Sequence, residues 1–245
     1  MWEAQIDNRK LTFHLAGINN QNFIMRDEET GSWWQQVSGE AIFGPLKGRR
    51  LKQVFHDEIA FSTWKAEKPQ GRILRPDEKT AARYAGKDWE ESVARMPVVT
   101  PLDGNQPLAP RTLIVGISLN GEARAYPFDE LKKQAAVLDT LGDTPLLILL
   151  DADGKSARAF DRKVEMQTLE FFAKLNSKPL RLIDDVTGSE WDFSGKCVSG
   201  ALAGKQLKKI YILSDYWFDW QTYNPQTTVF TTQAILPPVV RGNSD

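Results

Sequence analysis

The chain has 245 residues, 41% hydrophobic and 26% charged, enough apolar side chain for one large core or two modest ones. Lys+Arg 31 against Asp+Glu 32 leave a formal net charge of -1, which points away from nucleic acid and from an anionic membrane surface as partners. A single cysteine excludes an internal disulfide framework and a multi-cysteine zinc site, two histidines are few for a metalloenzyme, and neither a metal nor a cofactor is expected. No apolar run approaches the roughly 18 to 20 residues of a membrane span, and Met1, Trp2 and Glu3 do not open a signal peptide.

In chain order, residues 10–16 alternate polar with apolar as a half-buried strand does, and Asn19 to Asn22 turn the chain. Phe23 to Met25 read as a second strand, and residues 27–31 as the turn into a third, a β-meander. From Asp57 the spacing of Ile59, Phe61 and Trp64 is helical, with Asp57 as cap and Pro69 as terminator. Asp77 to Met96 are expected to form one helix, weakened by Gly86, followed by a proline-punctuated extended stretch to residue 111. Residues 112–119 and 122–126 read as strands joined by an Asn120-Gly121 hairpin turn. A short helix over Phe128 to Lys133, a buried strand over residues 144–150 and a return over residues 157–160 come next. Ser214 is expected to cap a second aromatic helix holding Trp217, Phe218 and Trp220, which Pro225 ends, and the tail after Pro237 is expected to be loose.

One stretch occurs twice. TGSWWQQVSGEAIFGPLKGRRL from Thr30 is answered by TGSEWDFSGKCVSGALAGKQL from Thr187, with Trp34 matching Trp191 and, after a one-residue gap, Gly39, Gly44, Leu46, Gly48 and Leu51 matching Gly195, Gly200, Leu202, Gly204 and Leu207. At the same spacing Trp64 falls on Trp220 and Pro69 on Pro225. The expected fold is α+β, mainly antiparallel strands with short helices, in two related repeats. Residues 1–74 form a partial first repeat lacking its N-terminal half, 75–111 a connector, 112–236 a complete second repeat and 237–245 the tail.

The threonine, serine and tryptophan of the repeated turn suit hydrogen bonding and ring stacking on a polar ligand, but they equally satisfy and pack a turn, and the turn reading is preferred. Asp151 to Gly154 resemble the opening of a calcium loop, yet Lys155 and Arg162 stand where oxygen ligands belong, so a hairpin turn is expected. Cys197, matching Ala41, reads as a buried small residue rather than a nucleophile, and His56 as a solvated histidine at a helix start. The basic cluster from Lys47 to Lys52 reads as a solvated strand edge.

GISLNGEARAYP, Phe160-Asp161-Arg162, RDEETGSWWQQVSGEAIFGPLKGRRL and the Trp-x4-Pro endings resemble the bacterial domain of unknown function 3179 family over nearly the whole chain. The resemblance implies an exported or envelope-associated protein and supplies no activity. It also implies a His-Glu-x-x-Asn-Asp stretch and a Cys-Pro-x-Cys-Gly, where this chain has Gln134, Ala135, Leu138 and Asp139, and then residues 151–155. Paired thiols and an imidazole suit redox or metal chemistry, so their loss from the second repeat favours a non-catalytic binding or structural protein with an unknown small ligand. The alternative is a redox or metal-dependent enzyme whose Cys/His site lies upstream in the first repeat, lined by Asn20, Asp27, Ser32, Trp34 and Gln36. A first repeat without sheet neighbours is expected to leave an edge near Thr12 and Phe23 open to self-association.

Overall fold

The computed structural model describes residues 1–19, 22–174 and 177–232. Its strands, in order, begin with β1 (Gln5–Ile6), β2 (Arg9–Lys10), β3 (Phe13–Asn19), β4 (Asn22–Asp27), β5 (Trp33–Gln35) and β6 (Ala41–Phe43). Helices α1 (Phe61–Glu67) and α2 (Trp89–Arg95) come next, followed by β7 (Leu113–Leu119), β8 (Glu122–Pro127), helix α3 (Phe128–Leu131), β9 (Ala136–Leu141), β10 (Thr144–Leu150) and β11 (Ala157–Asp161). The remainder is β12 (Lys163–Val164), β13 (Gln167–Thr168), β14 (Phe171–Ala173), β15 (Arg181–Asp184), β16 (Glu190–Asp192), β17 (Cys197–Ser199), β18 (Lys208–Ile210), β19 (Leu213–Tyr216), helix α4 (Trp217–Tyr223) and β20 (Thr228–Val229). Pairing is antiparallel throughout the described residues, apart from β20 running parallel to β8.

Three sheets are layered around the apolar strand β10. Successive side chains of a strand point to opposite faces. Leu146, Ile148 and Leu150 therefore enter a core shared with Val115, Ile117 and Tyr126 of the sheet β19-β7-β8-β20, while Leu147 and Leu149 enter another with Leu182, Trp191 and Cys197 of the sheet β14-β15-β16-β17. Burial on both faces explains why β10 carries no alternation in sequence. On the outer face of β7, Gly116 leaves room for α4: a Cβ there would lie 2.4 Å from the Trp220 ring. The Asn120-Gly121 turn has φ of 52° and 86°, the two left-handed residues of a tight hairpin between β7 and β8.

The sheet β3-β4-β5-β6 encloses a smaller core of Ile6, Leu11, Trp34, Ala41 and Leu51. Its central turn makes the hydrogen bonds found in the turn between β15 and β16. The Asp27 carboxylate accepts from Trp34 Nε1 (2.7 Å), Thr30 N (2.5 Å) and Thr30 Oγ1 (2.9 Å). Asp184 accepts from Trp191 Nε1 (2.9 Å), Thr187 N (2.6 Å) and Thr187 Oγ1 (3.0 Å). Ser32 Oγ accepts from Leu46 N and Ser189 Oγ from Leu202 N, both at 3.1 Å. A ring also fills the same place under each glycine: a Cβ on Gly39 would lie 2.6 Å from Trp2, and one on Gly195 2.5 Å from Phe160.

Several expectations need correction. Asp57 and Ser214 do not cap helices; the caps are Ala60 and Tyr216, and the Asp57 carboxylate instead meets Arg158 and Lys209. The helix expected over residues 77–96 is split at Gly86 into a 3-10 turn, Glu78–Arg83, and α2, neither burying a residue. Without an apolar face against a sheet, helix propensity alone does not carry one helix through a glycine. Trp64 is half-buried, whereas Trp220 is buried. The tail after Pro237 lies outside the described residues.

Candidate functional site

A cavity of about 850 Å³ opens between the sheet β3-β4-β5-β6 and the β19–α4 junction. Phe13, Ile18, Phe23 and Met25 supply one wall, Trp89 and Val93 of α2 with Met96 just after it another, and Leu213, Tyr216 and Phe218 the third. Ile18 and Phe23 face each other across β3 and β4. The volume and the apolar walls fall in the range of small-molecule sites.

Carboxyl groups also line this cavity. Asp215 lies in β19 and Asp219 in the first turn of α4, both on the cavity lining. Burial, and then the charge of Asp219, push the Asp215 carboxyl up to about 8, and the Tyr216 amide at 2.7 Å from Oδ1 does not offset them. Burial likewise raises Asp219 against the opposing hydrogen bond that Asn22 Nδ2 donates to its Oδ2. Asp219 Oδ1 and Tyr223 Oη are buried without a hydrogen-bond partner among the described residues. Burial and the neighbouring carboxyl together disfavour two full charges at this junction.

The candidates named from sequence divide. Gln36 lines the cavity, and its carbonyl accepts from Trp2 Nε1 at 2.6 Å. Asp27, Ser32 and Trp34 are fully buried, with their polar atoms engaged inside the turn. There burial raises the Asp27 pKa, and the Trp34, Thr30 and Ser32 hydrogen bonds outweigh it and hold the group below the ordinary value. Asn20 lies outside the described residues. His56 is not the solvated residue expected: it lines the cavity, 5.5 Å from the Tyr211 ring, with Nε2 3.3 Å from Glu58.

Asp215 and Asp219 were missed. Two aspartates four apart amid Tyr216, Trp217, Phe218 and Trp220 were the available signal, since carboxyls in so aromatic a run are buried with it or leave its face.

Other motifs have structural work. Arg124 and Tyr126 share a face of β8 and both reach Asp139 on β9, at 2.6 and 2.8 Å, tying two sheets together. Arg158, with a 4% exposed side chain, binds Asp57 at 2.8 Å and Glu67 at 2.6 Å and lies over the Phe193 ring, which anchors α1 to β11. Asp153 accepts from Lys155 N and Ser156 N at 2.8 Å, closing the hairpin between β10 and β11. Arg49, Arg50 and Lys52 of the basic cluster pair with Asp7, Glu40 and Glu3 on the surface. The Cys197 thiol is buried, and burial raises its pKa.

The family model described as "Protein of unknown function (DUF3179)" matches residues 1–227. The chain belongs to the DUF3179 family. No curated protein and no solved structure matches it. Membership in DUF3179 agrees with the motifs quoted above and assigns no residue a role. Among the described residues no helix is long and apolar enough to cross a membrane.

Proposed function

We propose that this DUF3179 protein is a non-catalytic binding protein that takes a small, largely apolar molecule into the cavity between the β3–β6 sheet and the β19–α4 junction. The observation that carries this reading is the 850 Å³ volume walled by Phe23, Met25, Val93, Leu213 and Phe218, with Asp215 and Asp219 among the polar groups on its lining. Apolar side chains left against water favour burial by a ligand at roughly 25 cal/mol per Å² covered. The reading includes a two-repeat organisation: residues 1–74 as a partial copy, 75–111 as connector and 112–236 as the complete copy. The matched hydrogen bonds of Asp27 and Asp184, and of Ser32 and Ser189, support it. The cavity then lies where the partial copy meets the complete one, and the turn residues Asp27, Ser32 and Trp34 hold its wall.

Titration with 1-octanol, followed by calorimetry, tests the reading. The chain is expected to bind with micromolar to millimolar affinity, and Val93→Trp to weaken binding at least about tenfold by filling the space. Because α2 buries no residue, that variant keeps its fold. Equal binding by the chain and the variant, or none by either, contradicts the reading.

A further inference from the structure

On the cavity lining, one carboxylate oxygen receives no N–H donor from the described residues. Asp219 is 6% exposed, lines the cavity, and gives Oδ2 to Asn22, while its Oδ1 is buried with no hydrogen-bond partner among the described residues. A buried carboxylate oxygen left unpaired is costly, and a ligand donor placed there recovers that cost. Two negative charges act on Asp215, Asp219 beside it and Glu58 on the cavity lining, while the Met1 ammonium on that lining meets Tyr211 and His56. A ligand carboxylate is repelled here, and a neutral alcohol offers a single donor. An ammonium offers three donors and the opposite charge.

Resting on the cavity reading above, we propose that the ligand is an amphiphilic amine, its ammonium donating to Asp219 Oδ1 and its hydrocarbon lying between β4 and α2. The carboxyl groups of Asp215, Asp219 and Glu58 on the lining are the complement of an ammonium charge.

Calorimetric titration of the full chain at pH 7 with octylamine, 1-octanol and octanoate separates the possibilities. Octylamine is expected to bind at least about tenfold tighter than octanol, with octanoate weakest, as hydrogen bonds to a charged group predict. Asp219→Asn is expected to bring octylamine to within about threefold of octanol while leaving octanol's affinity in place. Asp215→Asn, which keeps the Asp219 carboxylate, is expected to retain the amine preference, and circular dichroism establishes that each variant is folded. If Asp219→Asn does not fold, Asn22→Ala serves in its place: it frees the second Asp219 oxygen and is expected to raise the preference. Octanol binding as tightly as octylamine, or a preference unchanged by Asp219→Asn, overturns the amine assignment and leaves the cavity reading standing. Failure of all three compounds to bind overturns both.

Discussion

The turns at Thr30 and Thr187 are built alike, but what lies beyond them is not. Trp191 packs on Leu147, Leu149 and Phe160, part of a three-layer stack, whereas Trp34 closes a small core of Ile6, Leu11, Ala41 and Leu51. The helices that follow diverge further: α4 buries Trp217, Phe218, Asp219 and Trp220, and α1 buries none of its residues. Local chemistry sets the turn, because its donors and acceptors come from within about twenty residues, while the burial of the following helix depends on a sheet beneath it. The cavity opens between the smaller sheet and the β19–α4 junction.

The largest test of this contrast is a pair of tryptophan deletions. Trp220→Ala is expected to cost about 3–5 kcal/mol, while Trp64→Ala, half-buried against Gly71, costs about 1 kcal/mol or less. Denaturant unfolding reads both, and equal losses would break the contrast.

Next come Gly39→Ala and Gly195→Ala. Both glycines have positive φ, 66° and 77°, and a Cβ would strike Trp2 or Phe160, so each substitution is expected to cost about 2–3 kcal/mol. Here the two regions should behave alike, and a cost at one position only would show that the rings do not play the same part.

Asp27→Asn and Asp184→Asn are each expected to cost about 1–3 kcal/mol by spoiling the indole and threonine hydrogen bonds. Both carboxyls are held below the ordinary value of 3.8. Their contribution is therefore present above pH 4 and lost as pH falls through the lowered folded value, and the variants should flatten thermal stability on the acid side.

Asp215 has the opposite sign. Its folded value is raised from 3.8, so its contribution is fully present below that pH and is lost as pH rises toward the raised value. Asp215→Asn should remove this loss, and thermal melts between pH 5 and 8 should favour the variant increasingly toward the upper end. A variant that loses stability with pH as steeply as the parent would place the titration elsewhere.

Much of the fold was legible. The meander from residue 10, the Asn120-Gly121 turn, the run from Leu146 to Leu150 and the hairpin at Asp151 each follow from periodicity or turn chemistry over a few residues. The break at Gly86 was legible only as a weakness, since whether a helix survives a glycine depends on packing. The candidate site was mostly hidden. Phe23, Met25, Tyr216 and Phe218 read as core residues, and nothing local says that their faces enclose a space instead of filling it. Asp215 and Asp219 gained their character from burial at a strand–helix junction. The hydroxyls and indole of the repeated turn carried the strongest local signal, and in the first turn their polar atoms are engaged with one another and with Leu46.

The cavity is tested most directly by methyl-resolved NMR during titration with octanol. The account predicts shifts concentrated on Ile18, Met25, Val37, Val93 and Leu213, which line it, with Leu147, Leu149 and Leu182 of the neighbouring core unmoved. Shifts spread over the surface, or confined to that core, would contradict it.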